Sequence, residues 1–86
     1  MSRLGTRQIR RLCILASAAL GLLTPGRTDR SLVARGLFRE RKPNGAIVIT
    51  PAGLRALANE MEAGRVDPVL EEWQRESDRR RSEGRA

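Results

Sequence analysis

The sequence predicts a mainly α-helical chain with one small β-hairpin, an α+β class, folded as a single domain. Three observations carry this. Apolar residues recur at helical spacing near both ends of the chain. The tripeptide Pro43-Asn44-Gly45 is strong turn chemistry, because Asn and Gly accept positive φ cheaply. The run Ala46-Ile47-Val48-Ile49 that follows is β-branched and suits a returning strand. Eighty-six residues leave little surplus for a second core. Phe38 and Trp73 are the only aromatic residues, so that core must be aliphatic.

The first helix is expected over residues 6–22, with Thr6 as its cap and Gly21 near its end. Ile9, Leu12, Cys13, Ala16, Leu20 and Leu23 follow helical spacing, with Arg7, Arg10 and Arg11 off the stripe. Residues 23–28 read as a loop. Thr28 or Asp29 can cap a short second helix whose apolar face is Leu32 and Val33, and Gly36 suits the left-handed residue that ends it. Residues 37–41 form an extended run that pairs with 46–49, placing Ile47 and Ile49 inward and Val48 on the other face. Thr50 caps the next helix and Pro51 takes its first position, where the missing N–H costs nothing. Leu54, Leu57, Ala58 and Met61 give it an apolar stripe, and Gly64 stops it. Asp67-Pro68 repeats the cap-then-proline start of a last helix bearing Val69, Leu70 and Trp73. Residues 1–73 therefore form the domain, and 74–86 a polar, frayed tail.

The segment Leu-Val-x-Arg-Gly-Leu from Leu32, a hairpin, then Ile-Thr-Pro-Ala-Gly-Leu-Arg-Ala-Leu ending at Leu57 resembles the recognition helix, wing and following helix of MarR-type winged helix DNA-binding domains. The resemblance covers residues 32–57. It implies a winged helix-turn-helix in which one helix reads DNA beside a wing that touches backbone or minor groove. Only a few residues lie between Leu23 and Thr28, so the second helix of that pattern is shortened to a turn, or supplied by a break in the first helix near residues 17–19. Members of the family usually dimerise through terminal helices. The resemblance therefore adds to the reading of Trp73 as an interface anchor; the other reading has Trp73 capping the domain's own core.

Charge points the same way. Residues 1–42 hold ten Arg or Lys against Asp29 and Glu40, a balance of +8, while residues 43–86 hold seven Arg against eight acids, a balance of −1. A one-sided positive field suits a polyanion, although an arginine-rich proteome yields basic small proteins anyway. The absence of His, together with no glycine-rich phosphate loop, no metal-ligand spacing and no nucleophile–base set, argues against an enzyme, and no cofactor or metal is expected. The lone Cys13 cannot form an internal disulfide and reads as a core thiol in a reducing compartment. Residues 12–23 also resemble the apolar stretch of a signal peptide, but twelve residues fall short of the roughly 20 that span a bilayer. The expected location is cytoplasmic, with no membrane partner.

Candidate DNA-contacting residues in the recognition helix are Arg27, Thr28, Arg30, Ser31 and Arg35. Leu32 and Val33 must pack inward, which leaves these outside, and Arg27 sits where backbone amides also favour a phosphate. Wing candidates are Arg39, Arg41, Lys42 and Asn44. Arg can neutralise phosphates, and can read guanine edges. Arg35 has a structural alternative, clamping the next helix, and Arg27 one as an ordinary loop cation. The leading expectation is a small regulator or accessory factor of a bacterial or phage system that binds duplex DNA. The alternative is a winged helix protein-interaction module in a DNA-processing or virion assembly.

Overall fold

A computed structural model describes residues 3–18, 21 and 24–84. The elements run α1 (Thr6–Ser17), α2 (Arg27–Ala34), β1 (Phe38–Arg41), β2 (Ala46–Ile49), α3 (Pro51–Glu62) and α4 (Val66–Glu83). Four helices and one two-stranded antiparallel hairpin make an α+β arrangement of the winged helix-like class. No helix is long and apolar enough to cross a membrane among the described residues.

α1 is the hub, packing against α2, α3, α4 and β2. Its buried residues are Ile9, Leu12 and Leu15, with Cys13 half-buried beside them. The spacing placed Ala16 in this stripe, but Ala16 is exposed and Leu15 takes the inward position. The helix begins at Thr6 as expected, but Thr6 is its first residue and not its cap. Gly5 is the cap, and its free amide donates to Oε1 of Gln8. It also ends at Ser17 rather than near residue 22. Ala18 leaves helical geometry, and Gly21, at φ +84°, lies against β2. A Cβ on Gly21 would sit 2.7 Å from the Ile47 carbonyl oxygen, so contact with the hairpin overrides local helix propensity. Leu20 and Leu23 of the expected stripe lie outside the described residues.

α2 starts at Arg27 with Gly26 as its cap, so Thr28 and Asp29 are inside the helix rather than before it. Asp29 takes the third position and its carboxylate accepts from the Gly26 amide at 2.9 Å, the reciprocal half of a capping box. Gly36 ends the helix at φ +77°. The hairpin register pairs Phe38 with Ile49, Arg39 with Val48, Glu40 with Ile47 and Arg41 with Ala46. Phe38 and Ile47 are buried in the core and Ile49 packs against it. Asn44 Oδ1 accepts from the Ala46 amide at 3.1 Å and closes the tip.

Thr50 fastens the start of α3 to the end of α2. Its hydroxyl oxygen accepts from the Gly53 amide at 3.0 Å. The same hydroxyl lies 2.8 Å from the Gly36 carbonyl and 2.9 Å from that of Leu37, and its proton is shared between them. Gly53 is buried here, and a Cβ would collide with the Leu37 carbonyl and the Ile49 side chain.

The α3 stripe is rotated from the expected one. Leu57 is buried and Ala56 packs on the core, whereas Leu54, Ala58 and Met61 are exposed. The close seat of Gly53 on the β1 entry fixes this rotation. α4 begins at Val66, with Arg65 as its cap, so Asp67-Pro68 lies within its first turn. Arg65 bridges Glu60 (2.7 Å) and the Leu4 carbonyl (2.7 Å), which holds the α3–α4 corner against the N-terminal segment. Val66 and Val69 are buried, while Leu70 is largely exposed. From Gln74 the polar segment continues as helix to Glu83. Glu76 anchors it by accepting two bonds from Arg10 of α1, at 3.2 and 3.4 Å.

Two measurements test this packing. Gly53→Ala is expected to lower stability by about 1–3 kcal/mol in a urea titration, because overpacking outweighs the roughly 1 kcal/mol that Ala gains in a helix interior. Burial raises the Cys13 thiol pKa above its ordinary value, so alkylation near neutral pH should be slower in the folded than in the urea-unfolded chain. The stability this contributes is complete below the unfolded thiol's pKa and is lost as pH rises through the raised, folded one.

Candidate nucleic-acid interface

α2 presents three faces. Asp29 and Leu32 point inward, with Val33 half-buried beside them. Arg27, Arg30 and Ala34 are exposed on the opposite side. Thr28, Ser31 and Arg35 are half-buried on the flank turned to α1.

The inward face depends on an ion pair. Arg11 of α1 grips Asp29 with both prongs, Nε to Oδ1 at 2.7 Å and Nη2 to Oδ2 at 3.1 Å. The Asp29 side chain is only 3% exposed, and the Gly26 amide is a third donor to it. A buried carboxylate needs such partners to offset its desolvation. Further along, Gln8 donates to Ser31 Oγ (3.3 Å), Ser31 donates to the Thr28 carbonyl (2.7 Å), and Arg35 donates to Gln8 Oε1 (3.3 Å). These bonds tie one flank of α2 to α1.

These bonds sort the residues the sequence singled out. Ser31 and Arg35 are engaged in the clamp on α1. Arg27 and Thr28 line an open groove with Gly5, Thr6, Arg7, Gln8 and Ser31. Arg30 looks the other way, lining a small cleft with Pro25, Val33, Glu40 and Ile47 between α2 and the hairpin.

The wing residues form a second patch. Strand alternation places Arg39 and Arg41 on the face opposite Phe38, away from the α2 cleft. Arg39 is exposed and Arg41 half-buried, and Lys42 and Asn44 are exposed at the tip. The nine candidates thus divide into an α2 patch and a hairpin patch rather than one cluster. Trp73 is half-buried on the side of α4 that also carries Val69 and Glu76.

Sequence reasoning missed Arg7. Its position opposite the apolar stripe was visible, but its neighbours across the groove come from 20 residues away and carry no local signal. Arg10 and Arg11 also lay off the stripe, and both serve internal ion pairs instead.

No family model, curated protein or solved structure matches this chain. The site is therefore read from its own geometry. Within α1, α2 and the hairpin, Arg7, Arg27, Arg30, Arg39 and Lys42 are exposed cations outside any ion pair among the described residues. The acids nearest α2 differ: Asp29 is neutralised by Arg11, and Glu40 sits at the hairpin end of the Arg30 cleft. The outward side of α2 is thus cationic, while its inward side and one flank are bonded to α1.

The clamp has a measurable worth. Asp29→Ala is expected to cost about 2–3 kcal/mol, below the 3–5 typical of breaking a fully buried pair because Arg11 stays partly solvated. The melting temperature of a domain this size should then fall by about 10–20 °C. Asp29→Asn, which retains an acceptor for the Gly26 amide, should cost less in the same melt.

Proposed function

We propose that this chain is a small winged helix protein that binds duplex DNA, as a transcriptional regulator or accessory factor. The observation that supports it best is the outward face of α2, where Arg27 and Arg30 stand exposed while the ion-paired side is turned inward. Arg7 extends that face across the α1–α2 groove, and Arg39 and Lys42 supply a second cationic patch on the wing. Arginines on a rigid helix neutralise phosphates and release counterions, which is the source of sequence-independent affinity. Arg27 and Arg30 are also the side chains best placed to reach base edges, Arg to guanine being the strongest pairing. Arg35 and Ser31 act behind this face, holding α2 against α1.

Fluorescence anisotropy with a random-sequence duplex tests the proposal. With about four phosphate contacts, affinity should fall about a hundredfold between about 50 and 200 mM salt. The double variant Arg27→Ala/Arg30→Ala should weaken binding and reduce the salt slope by about two, with an unchanged melting curve. Absence of binding at the lower salt would reject DNA as the ligand and turn attention to an acidic protein partner.

A further inference from the structure

The cleft between α2 and the hairpin has a volume of about 190 Å³, and Pro25, Arg30, Val33, Glu40 and Ile47 line it. Each wall pairs one charge with one apolar side chain. Arg30 and Val33 are three residues apart on α2 and share a face. Glu40 and Ile47 are opposed across the two strands and point to the same side of the hairpin. Ile47 belongs to the buried core and Val33 packs against it, so the fold fixes the apolar floor. Arg30 and Glu40 are exposed, and among the described residues neither is in an ion pair, with the other or elsewhere. Contact with DNA gives Glu40 no task, since a carboxylate repels phosphates.

We propose that this cleft binds a small aliphatic α-amino acid. Its carboxylate lies on Arg30, its ammonium on Glu40, and its side chain over Pro25, Val33 and Ile47. Charge decides the class of ligand. A simple anion would gain Arg30 and meet repulsion from Glu40, and a simple cation the reverse. A zwitterion satisfies both walls. The α1–α2 groove differs, since it holds Arg7 and Arg27 and no acid, an arrangement suited to a polyanion.

Volume decides the size. A cavity of about 150 Å³ takes benzene, whereas drug-sized ligands need about 300 Å³ or more. On that scale the cleft holds roughly eight non-hydrogen atoms. Valine, leucine and isoleucine have about that number. The guanidinium meets a carboxylate through two parallel bonds, and a carboxylate accepts from an ammonium. Both charged groups stand at the solvent edge, so the binding is modest and its selectivity comes from matching two charges and one apolar chain at once.

The test uses the full chain without nucleic acid, so its outcome is independent of DNA binding. L-leucine is titrated against the isotopically labelled chain and amide chemical shifts are followed. A dissociation constant of about 0.1–1 mM is expected, with shifts centred on Arg30, Val33, Glu40 and Ile47. Two analogues each lack one charge: 4-methylpentanoate has no ammonium, and 3-methylbutylamine has no carboxylate. Each should bind about tenfold more weakly than leucine. Glu40→Gln should weaken leucine about tenfold and leave 4-methylpentanoate no weaker, while Arg30→Gln should weaken leucine equally and leave 3-methylbutylamine no weaker. Both side chains are exposed, and circular dichroism melts verify that each variant stays folded. Absence of shifts at 10 mM leucine, roughly ten times the weakest expected constant, would overturn the proposal. So would shifts centred on the α1–α2 groove, an analogue that binds as tightly as leucine, or variants that do not separate the two charges.

Discussion

The two-pronged bond from Arg11 to the buried Asp29 carboxylate sets the position of α2, and much of the molecule's outer chemistry follows from it. A short helix of eight residues is marginal alone, and its stability must come from packing. Here one carboxylate satisfies the helix's own N-terminal amide, neutralises an arginine from the hub helix, and fixes which side of α2 faces solvent. Arg10 performs the corresponding task for α4 through Glu76. Two consecutive arginines thus direct two neighbouring helices to opposite flanks of α1.

The second fixed point is the junction where Thr50, Gly53 and Leu37 meet. Backbone and hydroxyl bonds tie the start of α3 to the end of α2, and the absence of a side chain at Gly53 lets the two segments touch. This contact rotates α3 so that Leu57 reaches the core. The hairpin is held between the two anchored helices, and its tip carries Lys42 and Asn44 outward.

Much of this was legible in the sequence, for local reasons. Pro43-Asn44-Gly45, Gly36 and the Thr50-Pro51 start each reflect a backbone preference that operates within a few residues, and the structure uses all three. The errors were non-local. The α3 stripe was assigned by periodicity alone, which cannot detect the close approach at Gly53. The end of α1 was misplaced because Gly21 answers to β2 rather than to its own neighbours. Asp29 looked like a helix cap, and it does take part in one, but its burial depends on Arg11, 18 residues earlier. Among the candidate contact residues, exposure of Arg27 and Arg30 followed from the helical period, whereas the engagement of Arg35 and Ser31 required Gln8 to be in place.

The bond between Arg10 and Glu76 spans 66 positions of the chain, and that between Arg65 and Leu4 spans 61. α1 is therefore clasped by α4, far along the chain. During translation Arg11 can meet Asp29 after 18 residues, whereas Arg10 waits 66 residues for Glu76. Closing so long a loop costs entropy before any contact repays it, and such topologies fold more slowly than helical proteins with local contacts. A nascent chain stalled before residue 76 would therefore lack the clasp between α1 and α4.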